Sequence, residues 1–382
     1  MAVGHSDDVD PDDAVAAAID ECRAALGDLT PQAGILFSAF ESFHPDVVAA
    51  VRKAFPGVGL AGTTSAAEIS SSGYREDSIM LALFASDSVD FTVGLGSGLG
   101  RDVEKGCRAA VEQATSATDR EPRICVVLAD SIAADPRAVL EAMRAALPPG
   151  VVLVGGASAR SDFSQLTPTY QFCNEAVASD GIAVLLLSGP VTFSTAVGTG
   201  WKTIGPRGRV TGASPHAIEE IDGRPAADFV RNYIDVIGPA AFGNPLAVFE
   251  EGSEEFYLRA IPQSDLESGS LTVPGSVPEG AEVQLTTAAT DEIISGTEAA
   301  LREAAEGFPA GSTPEAALIF SCAIRKFLLG SKTPVESELA RSVLGSEIPI
   351  AGLYCFGEFG PIEGTGGSRF LNETFVTLLL GS

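Results

Sequence analysis

Three stretches of this chain repeat one pattern, so its fold must be built from one unit used three times. Each copy opens with an apolar run of strand type: Ile35–Phe37 before Ser38, Val126–Leu128 before Ala129, and Leu318–Phe320 before Ser321. A helix-length stretch follows, then a second apolar run ending in glycine: VGLAG over Val58–Gly62, VLVGG over Val152–Gly156 and IPIAG over Ile348–Gly352. Six residues past the last glycine stands an acid followed by an apolar residue, as Glu68-Ile69, Asp162-Phe163 and Glu358-Phe359. Runs at Leu81–Phe84, Ala183–Leu187 and Thr377–Leu380 close the copies. The unit reads strand, helix, strand, turn, strand. Its most polar point is the turn beyond the glycine-ended strand.

Flanking segments extend each copy. Val15, Ala18, Ile19, Cys22 and Leu26 recur at helical spacing behind Asp12 and Asp13, which predicts an amphipathic helix over 11–27. A helix over 45–54 stops at Pro56-Gly57, and strand Val89–Val93 leads through GLGSGLG into a helix over 101–117. DPRAVLEAMRAAL supplies the helix of the second copy, and a strand in VTFSTAVGTGW follows that copy. Gly205-Pro206, Gly238-Pro239 and Asn244-Pro245 cluster around the helical PAADFVRNYI and mark a boundary near 215–245. Residues 246–289 read as a meander of short strands, LAVFEE, FYLRAI, SLTV and AEVQLTT, before a helix over 292–306 and the third copy. The expected fold class is α+β with two domains, 12–222 and 223–382, each a mixed β-sheet covered by helices. Copies one and two are expected to form a pseudo-symmetric first domain, and the third copy plus the meander the second.

At 382 residues and 45% hydrophobic, the chain can bury a large core. No apolar run approaches the roughly 20 residues that span a bilayer. The acidic start MAVGHSDDVDPDD lacks the marks of a secretory signal. Cys22, Cys107, Cys125, Cys173, Cys322 and Cys355 form no C-x-x-C pair and lie mostly among apolar residues, as reduced thiols of a cytoplasmic protein would. The net charge of −27 is spread along the chain. It argues against nucleic acid and anionic membrane as partners and suits a cationic or zwitterionic ligand.

Catalytic motifs are missing. The three histidines, His5, His44 and His216, are widely spaced, and neither a Walker lysine pattern nor G-x-S-x-G occurs. The expectation is therefore a protein without enzymatic activity, cofactor or metal. GLGSGLG (Gly94–Gly100) after a strand resembles a dinucleotide loop, but the next acid, Asp130, lies thirty residues past Gly100 instead of about 20. VGTG (Val197–Gly200) repeats the feature after the second copy, which favours a structural role. Cys322 beside Arg325 could be a reactive thiol, so an enzyme using Cys322 or a nucleotide at Gly94–Gly100 is the rival reading. A protein-interaction scaffold is a weaker one.

Together these features resemble the FIST domain of bacterial signal-transduction proteins and certain eukaryotic F-box proteins, over about residues 14–382. The resemblance rests on AGTTSAAEI, DSIMLALF, VLVGGASA and DGIAVLLLSG in the first half. In the second it rests on FYLRAI, GSLTVPGSVPEGAEVQL, FSCAIR, PIAGLYCFGEFGPI and NETFVTLLL. The chain has Gly62-Thr63-Thr64-Ser65 where the family commonly has Gly-Cys-Ser-Thr. The resemblance implies a cytoplasmic sensory module that binds a small ligand such as an amino acid or related metabolite. Family members are often fused to output domains, and none is seen in this chain, so a separate signalling partner protein is expected.

Within the third copy the polar residues that interrupt the apolar pattern are Cys322, Arg325, Tyr354 and Glu358, with Asn372 and Thr374 leading into the last strand. Two strands joined by a helix crossover can be sheet neighbours, and ligands favour the crevice outside their carboxyl ends. Arg325 is expected to face an anionic group of the ligand and Glu358 a cationic one. On that view Arg325→Ala costs little stability. Cys322, Tyr354, Asn372 and Thr374 are expected to complete the ligand site, with Arg259 pairing with Asp265, Glu358 or a bound anion, and Thr63, Thr64 and Glu68 are expected to bind ligand at the corresponding polar turn of the first copy.

Overall fold

Ile35 and Phe37 face one side of their strand and Leu36 the other, yet all three are fully buried. A strand buried on both faces needs a packed layer on each, and the repeat supplies both. The computed structural model describes residues 1–130, 132–162, 168–234, 243–249, 254–264, 269–362 and 367–381. In chain order each copy runs strand, helix, strand, helix, strand, two-strand hairpin, strand.

The first copy comprises β1 (Ala2–Ser6), α1 (Pro11–Leu26), β2 (Ala33–Ala39), α2 (Pro45–Ala54), β3 (Gly59–Ser65), the hairpin β4 (Ala67–Ser70) and β5 (Gly73–Arg75), and β6 (Ile79–Phe84). The second comprises β7 (Asp90–Ser97), α3 (Val103–Thr115), β8 (Pro122–Ala129), α4 (Pro136–Ala146), β9 (Val152–Ala157), the hairpin β10 (Gln171–Cys173) and β11 (Ala176–Ala178), and β12 (Gly181–Ser188). The third opens with β13 (Thr192–Gly198). An inserted lobe follows: β14 (Lys202–Ser214), β15 (Ala217–Ile221), β16 (Arg224–Pro225), α5 (Ala226–Arg231), β17 (Leu246–Phe249), β18 (Phe256–Arg259), β19 (Gln263–Ser264), β20 (Leu271–Thr272) and β21 (Glu282–Thr287). The copy then resumes with α6 (Thr290–Glu306), β22 (Ala316–Cys322), α7 (Ala323–Leu329) and α8 (Pro334–Leu344). It ends with β23 (Ile350–Cys355), the hairpin β24 (Glu358–Ile362) and β25 (Gly367–Leu371), and β26 (Phe375–Gly381).

Each copy builds a mixed sheet but gives its hairpin away. The three sheets run β1-β6-β2-β3-β10-β11, β7-β12-β8-β9-β24-β25 and β13-β26-β22-β23-β4-β5. Hairpin two thus completes sheet one, hairpin three completes sheet two, and hairpin one completes sheet three. Only Ala66 separates β3 from β4, fewer than the two residues of the tightest common hairpin loop. β4 therefore cannot turn back on β3, and it pairs with β23 of the third copy. The inner faces of the three sheets, with Phe37, Leu128 and Phe320 among them, share one apolar core. α1 and α2, α3 and α4, and α6 and α8 cover the outer faces.

The fold is α+β with mixed sheets covered by helices. The grouping of copies differs from the sequence expectation: copies one and two do not stand apart from copy three, because all three occupy equivalent places in the ring. The expected division at 222/223 falls in the turn between β15 and β16, which pair with each other, and three of the sheets' pairings cross it.

The glycine-ended strands follow from this packing. A Cβ on Gly62 would stand 2.1 Å from the Phe172 ring of the incoming hairpin and 2.2 Å from the Leu36 carbonyl oxygen. Gly62→Ala should therefore destabilise the chain by about 1–3 kcal/mol through overpacking, read from the urea midpoint. An unchanged midpoint would mean that the second hairpin is not held against β3.

Candidate functional site

Register, and not spacing along the chain, decides which polar residues are equivalent. Leu36 pairs with Gly62, Val127 with Gly155 and Ile319 with Gly352. Opposite the residue after each glycine stand Gln171, Glu358 and Glu68 respectively for Thr63, Gly156 and Leu353. Gln171, not Asp162, is therefore the second copy's counterpart of the two acids. The longer connection between β9 and β10 displaces Asp162 to the surface, where it pairs with Arg160 at 3.1 Å. Phe163 lies outside the described residues. The sequence held a signal for this, since Gln171-Phe172 keeps the polar–apolar pair of Glu68-Ile69 and Glu358-Phe359.

All three side chains are fully buried and bridge the end of one strand to the start of another. Glu68 accepts from Ser65 and Ser78. Gln171 donates to Ser158 at 2.6 Å and accepts from the Gly181 amide at 2.8 Å. Glu358 accepts from the Thr374 amide at 3.1 Å, the Thr374 hydroxyl at 2.7 Å and the Cys355 thiol at 3.5 Å. Burial pushes Glu68 up to about 8, against the opposing hydrogen bonds of Ser65 and Ser78. Burial does the same to Glu358, again to about 8, against its bonds from Thr374 and Cys355 and the field of Arg325.

The third copy departs from the other two at Glu373. In register, the residues that precede the closing strands are Asp77-Ser78, Asp180-Gly181 and Glu373-Thr374. Asp77 is exposed and Asp180 half-buried, but Glu373 is fully buried, and neither of its carboxylate oxygens has a hydrogen-bond partner among the described residues. Its φ of +57°, in the left-handed region that non-glycine residues rarely adopt, is shared with Asp77 at +47°, so burial and not backbone sets it apart. Burial and the nearby Glu358 push its carboxyl well up. Cys322 lies against the same pair, 1% exposed, its amide donating to the Thr374 carbonyl at 3.1 Å. Burial, Glu358 and Glu373 all raise its thiol.

Cys322, Glu358 and Thr374 are thus brought together with Glu373, and Asn372 adjoins them in the chain. Thr374 also lines an open cleft of about 570 Å³ between β13, the hairpin β24–β25 and β18 of the inserted lobe. Glu254, Glu255 and Glu303 give this cleft an acidic wall, and Phe256 and Tyr257 an aromatic one.

Arg325 and Tyr354 belong elsewhere. Both point to Glu336 of α8, which sequence reasoning missed. Arg325 is ion-paired with it at 2.8 Å, with neither side chain exposed, and also donates to the Thr199 and Ile293 carbonyls and the Thr297 hydroxyl. Ser321, Thr297 and Tyr354 hydroxyls complete the bonds to Glu336. The guanidinium is consumed by the fold and does not line the cleft beside Thr374, although Thr199, whose carbonyl it holds, does; Glu358 too stays behind the cleft wall, reaching it only through Thr374. Of the two acids expected for Arg259, Asp265 lies outside the described residues and Glu358 forms no ion pair with it; the guanidinium donates to the Gly275, Leu258 and Phe370 carbonyls. Thr63 donates to Ser158 at 2.6 Å, and Thr64 accepts from the Tyr170 amide at 3.1 Å. These two brace the first and second copies, apart from the cleft.

The glycine loop is filled by protein. A Cβ at Gly94 or Gly96 would lie 2.0 Å or 1.8 Å from the carbonyl oxygens of Ala110 and Gly106 in α3. The amino end of α3 is already capped by the Asp102 carboxylate, which accepts from the Lys105 amide at 2.9 Å. His5 bonds Ser70 and Ser78, and burial lowers its pKa to about 3. No helix among the described residues is long and apolar enough to cross a membrane, and no group of acids, histidines and cysteines among them could hold a metal ion.

A ring of three sheets closed by exchanged hairpins, with one copy carrying a buried acid beside a cleft, defines an α+β scaffold of three like copies. Residues 32–224 match the FIST N domain and 226–361 the FIST C domain, and the chain belongs to the FIST family, whose domains are sensory domains of signal transduction. It is 26% identical over 227 residues to an uncharacterized protein of Mycobacterium tuberculosis (strain CDC 1551 / Oshkosh), covering 56% of this chain and 58% of that one. An uncharacterized protein of Mycobacterium bovis (strain ATCC BAA-935 / AF2122/97) matches at the same identity, over 56% of this chain and 57% of its own length. The match thus spans little more than half of these curated relatives. Among solved structures, a cyanuric acid hydrolase from A. caulinodans aligns over 100% of this chain and 98% of its own, at 11% identity and a TM-score of 0.37. That likeness is too slight to bear on function.

The Arg325 surroundings reverse the expectation of a cheap substitution. Arg325→Ala leaves Glu336 buried without its counter-charge and should cost about 3–5 kcal/mol in urea unfolding; a cost under about 1 kcal/mol would show that water reaches the pair. Glu358 gives a pH signature. Its carboxyl rises from 4.5 to about 8 on folding, so between those values the unfolded chain releases a proton that the folded chain keeps. Stability should fall as pH rises through that window, and Glu68 adds to the slope. Glu358→Gln, the side chain found at Gln171, should reduce the slope and add at least about 1 kcal/mol at pH 8. Equal slopes in both proteins would mean that Glu358 is already ionised when folded.

Proposed function

We propose that this chain is a non-catalytic sensory module, and that its ligand, an amino acid or related amine-bearing metabolite, binds in the cleft beside Thr374. The observation that carries this reading is the cleft itself. Its wall includes a threonine bonded to a buried, proton-holding carboxyl, and the copy that carries it is the one that breaks the three-fold pattern. A carboxylate-lined cleft concentrates cations, and 570 Å³ suits a small metabolite. The rival enzyme reading needs a thiolate at Cys322, and burial beside Glu358 and Glu373 opposes its formation. The signal would leave through a separate partner protein in the cytoplasm.

A thermal-shift screen of amino acids and small amines tests the reading. A true ligand at a hundredfold excess over Kd adds about 2.7 kcal/mol. Thr195→Trp, which fills the cleft from the half-buried face of an edge strand, should abolish that shift without lowering the unliganded Tm. A shift that survives Thr195→Trp would move the site elsewhere, and no shift from any amine would favour a scaffold without a ligand.

A further inference from the structure

A second cleft, of about 350 Å³, opens where the inserted lobe meets the second copy, and its charge is opposite to that of the molecule. Arg137, Arg144, Arg209, Arg259 and Arg369 line it, against two acids, Glu279 and Glu141, the latter ion-paired with Arg137 at 3.1 Å. The whole chain has 24 lysines and arginines and 51 acids, so five arginines around one cleft run against its composition. They converge from four elements, α4, β14, β18 and β25, which no single amphipathic face would produce. Arg259 is the most constrained. It is 3% exposed, and among the described residues its guanidinium donates to three carbonyl oxygens at 3.0 Å each and forms no ion pair. Arg209 likewise forms no ion pair among the described residues. Guanidiniums that converge on one cleft repel one another, and an anion bound among them offsets that repulsion.

We propose that this cleft binds a small multivalent oxyanion, a phosphate- or polycarboxylate-bearing metabolite whose body rests against Tyr257 and Phe370. Guanidinium groups bind such oxyanions through paired N–H donors. The cleft's size and the negative field around it exclude a nucleic-acid strand. The site is distinct from the amine cleft and goes beyond the sensory reading, although Tyr257 borders both.

Calorimetric titration of the full chain with inorganic pyrophosphate and with citrate, at matched ionic strength, tests it. Saturable binding of pyrophosphate alone identifies a phosphate ligand, and binding of citrate alone a polycarboxylate; either supports the site. Arg209→Glu and Arg137→Glu change exposed or half-exposed side chains, and each should weaken binding by about tenfold or more; the unliganded Tm stays unchanged in Arg209→Glu and falls slightly in Arg137→Glu, which loses the ion pair with Glu141. Arg23→Glu on α1, far from the cleft, should leave binding intact. The proposal is overturned if neither anion binds at millimolar concentration, or if both cleft variants bind as the parent does. Equal weakening by Arg23→Glu would also overturn it, because that result reports net charge alone.

Discussion

The exposed edge of each glycine-ended strand is the constraint on which the structure turns. Taken alone, a copy would end its sheet at β3, β9 or β23 with a row of unpaired amides and carbonyls, an open invitation to pair. Exchange of the hairpins fills each edge from a neighbouring copy, and the exchange runs in one direction around the ring. No sheet is complete without a strand from another copy. The shared inner core depends on the same exchange, because the sheets can present Phe37, Leu128 and Phe320 to one another only once the hairpins hold them in place.

Burying so much backbone also buries polar side chains, and each copy solves this in a related way. Glu68, Gln171 and Glu358 tie the exit of one strand to the entry of another, so the polar atoms at those junctions are paired. Two of the three are acids whose carboxyls burial pushes up to about 8, and the third is the neutral amide. The Arg325–Glu336 network is the single-copy counterpart on the outer face. Glu373 has no such partner among the described residues, and this makes the third copy the chemically distinct one.

The inserted lobe is the other departure from the repeat, and both clefts lie along its margins. A ring of like copies offers like surfaces, whereas a lobe present once creates a junction present once. Charge is sorted between the two junctions: carboxylates gather on the side of β13 and guanidiniums on the side of α4. β18 separates them, with Tyr257 reaching both. One element of the lobe therefore stands against two sites of opposite polarity.

The sequence by itself determined the local elements, because apolar periodicity, glycine at points of close approach, and capping residues act within a few positions of one another. The strand Ile35–Phe37 and the helix beginning at Pro11 follow from such short-range physics. The repeat was legible for the same reason, as was the closeness of Cys322, Glu358 and Thr374, which stand at or next to the adjoining ends of β22, β23 and β26, strands that pair through β22. Spacing failed where chain length between elements varies, as it did in placing Asp162 where Gln171 belongs. It failed also for Arg325, whose partner lies on the far side of a turn, and for the hairpin exchange, which links residues hundreds of positions apart. Pairing across such distances is set by which edge is left open once the copies assemble. A single strand's pattern reports that it must be covered on both faces, and only the tertiary structure decides by what.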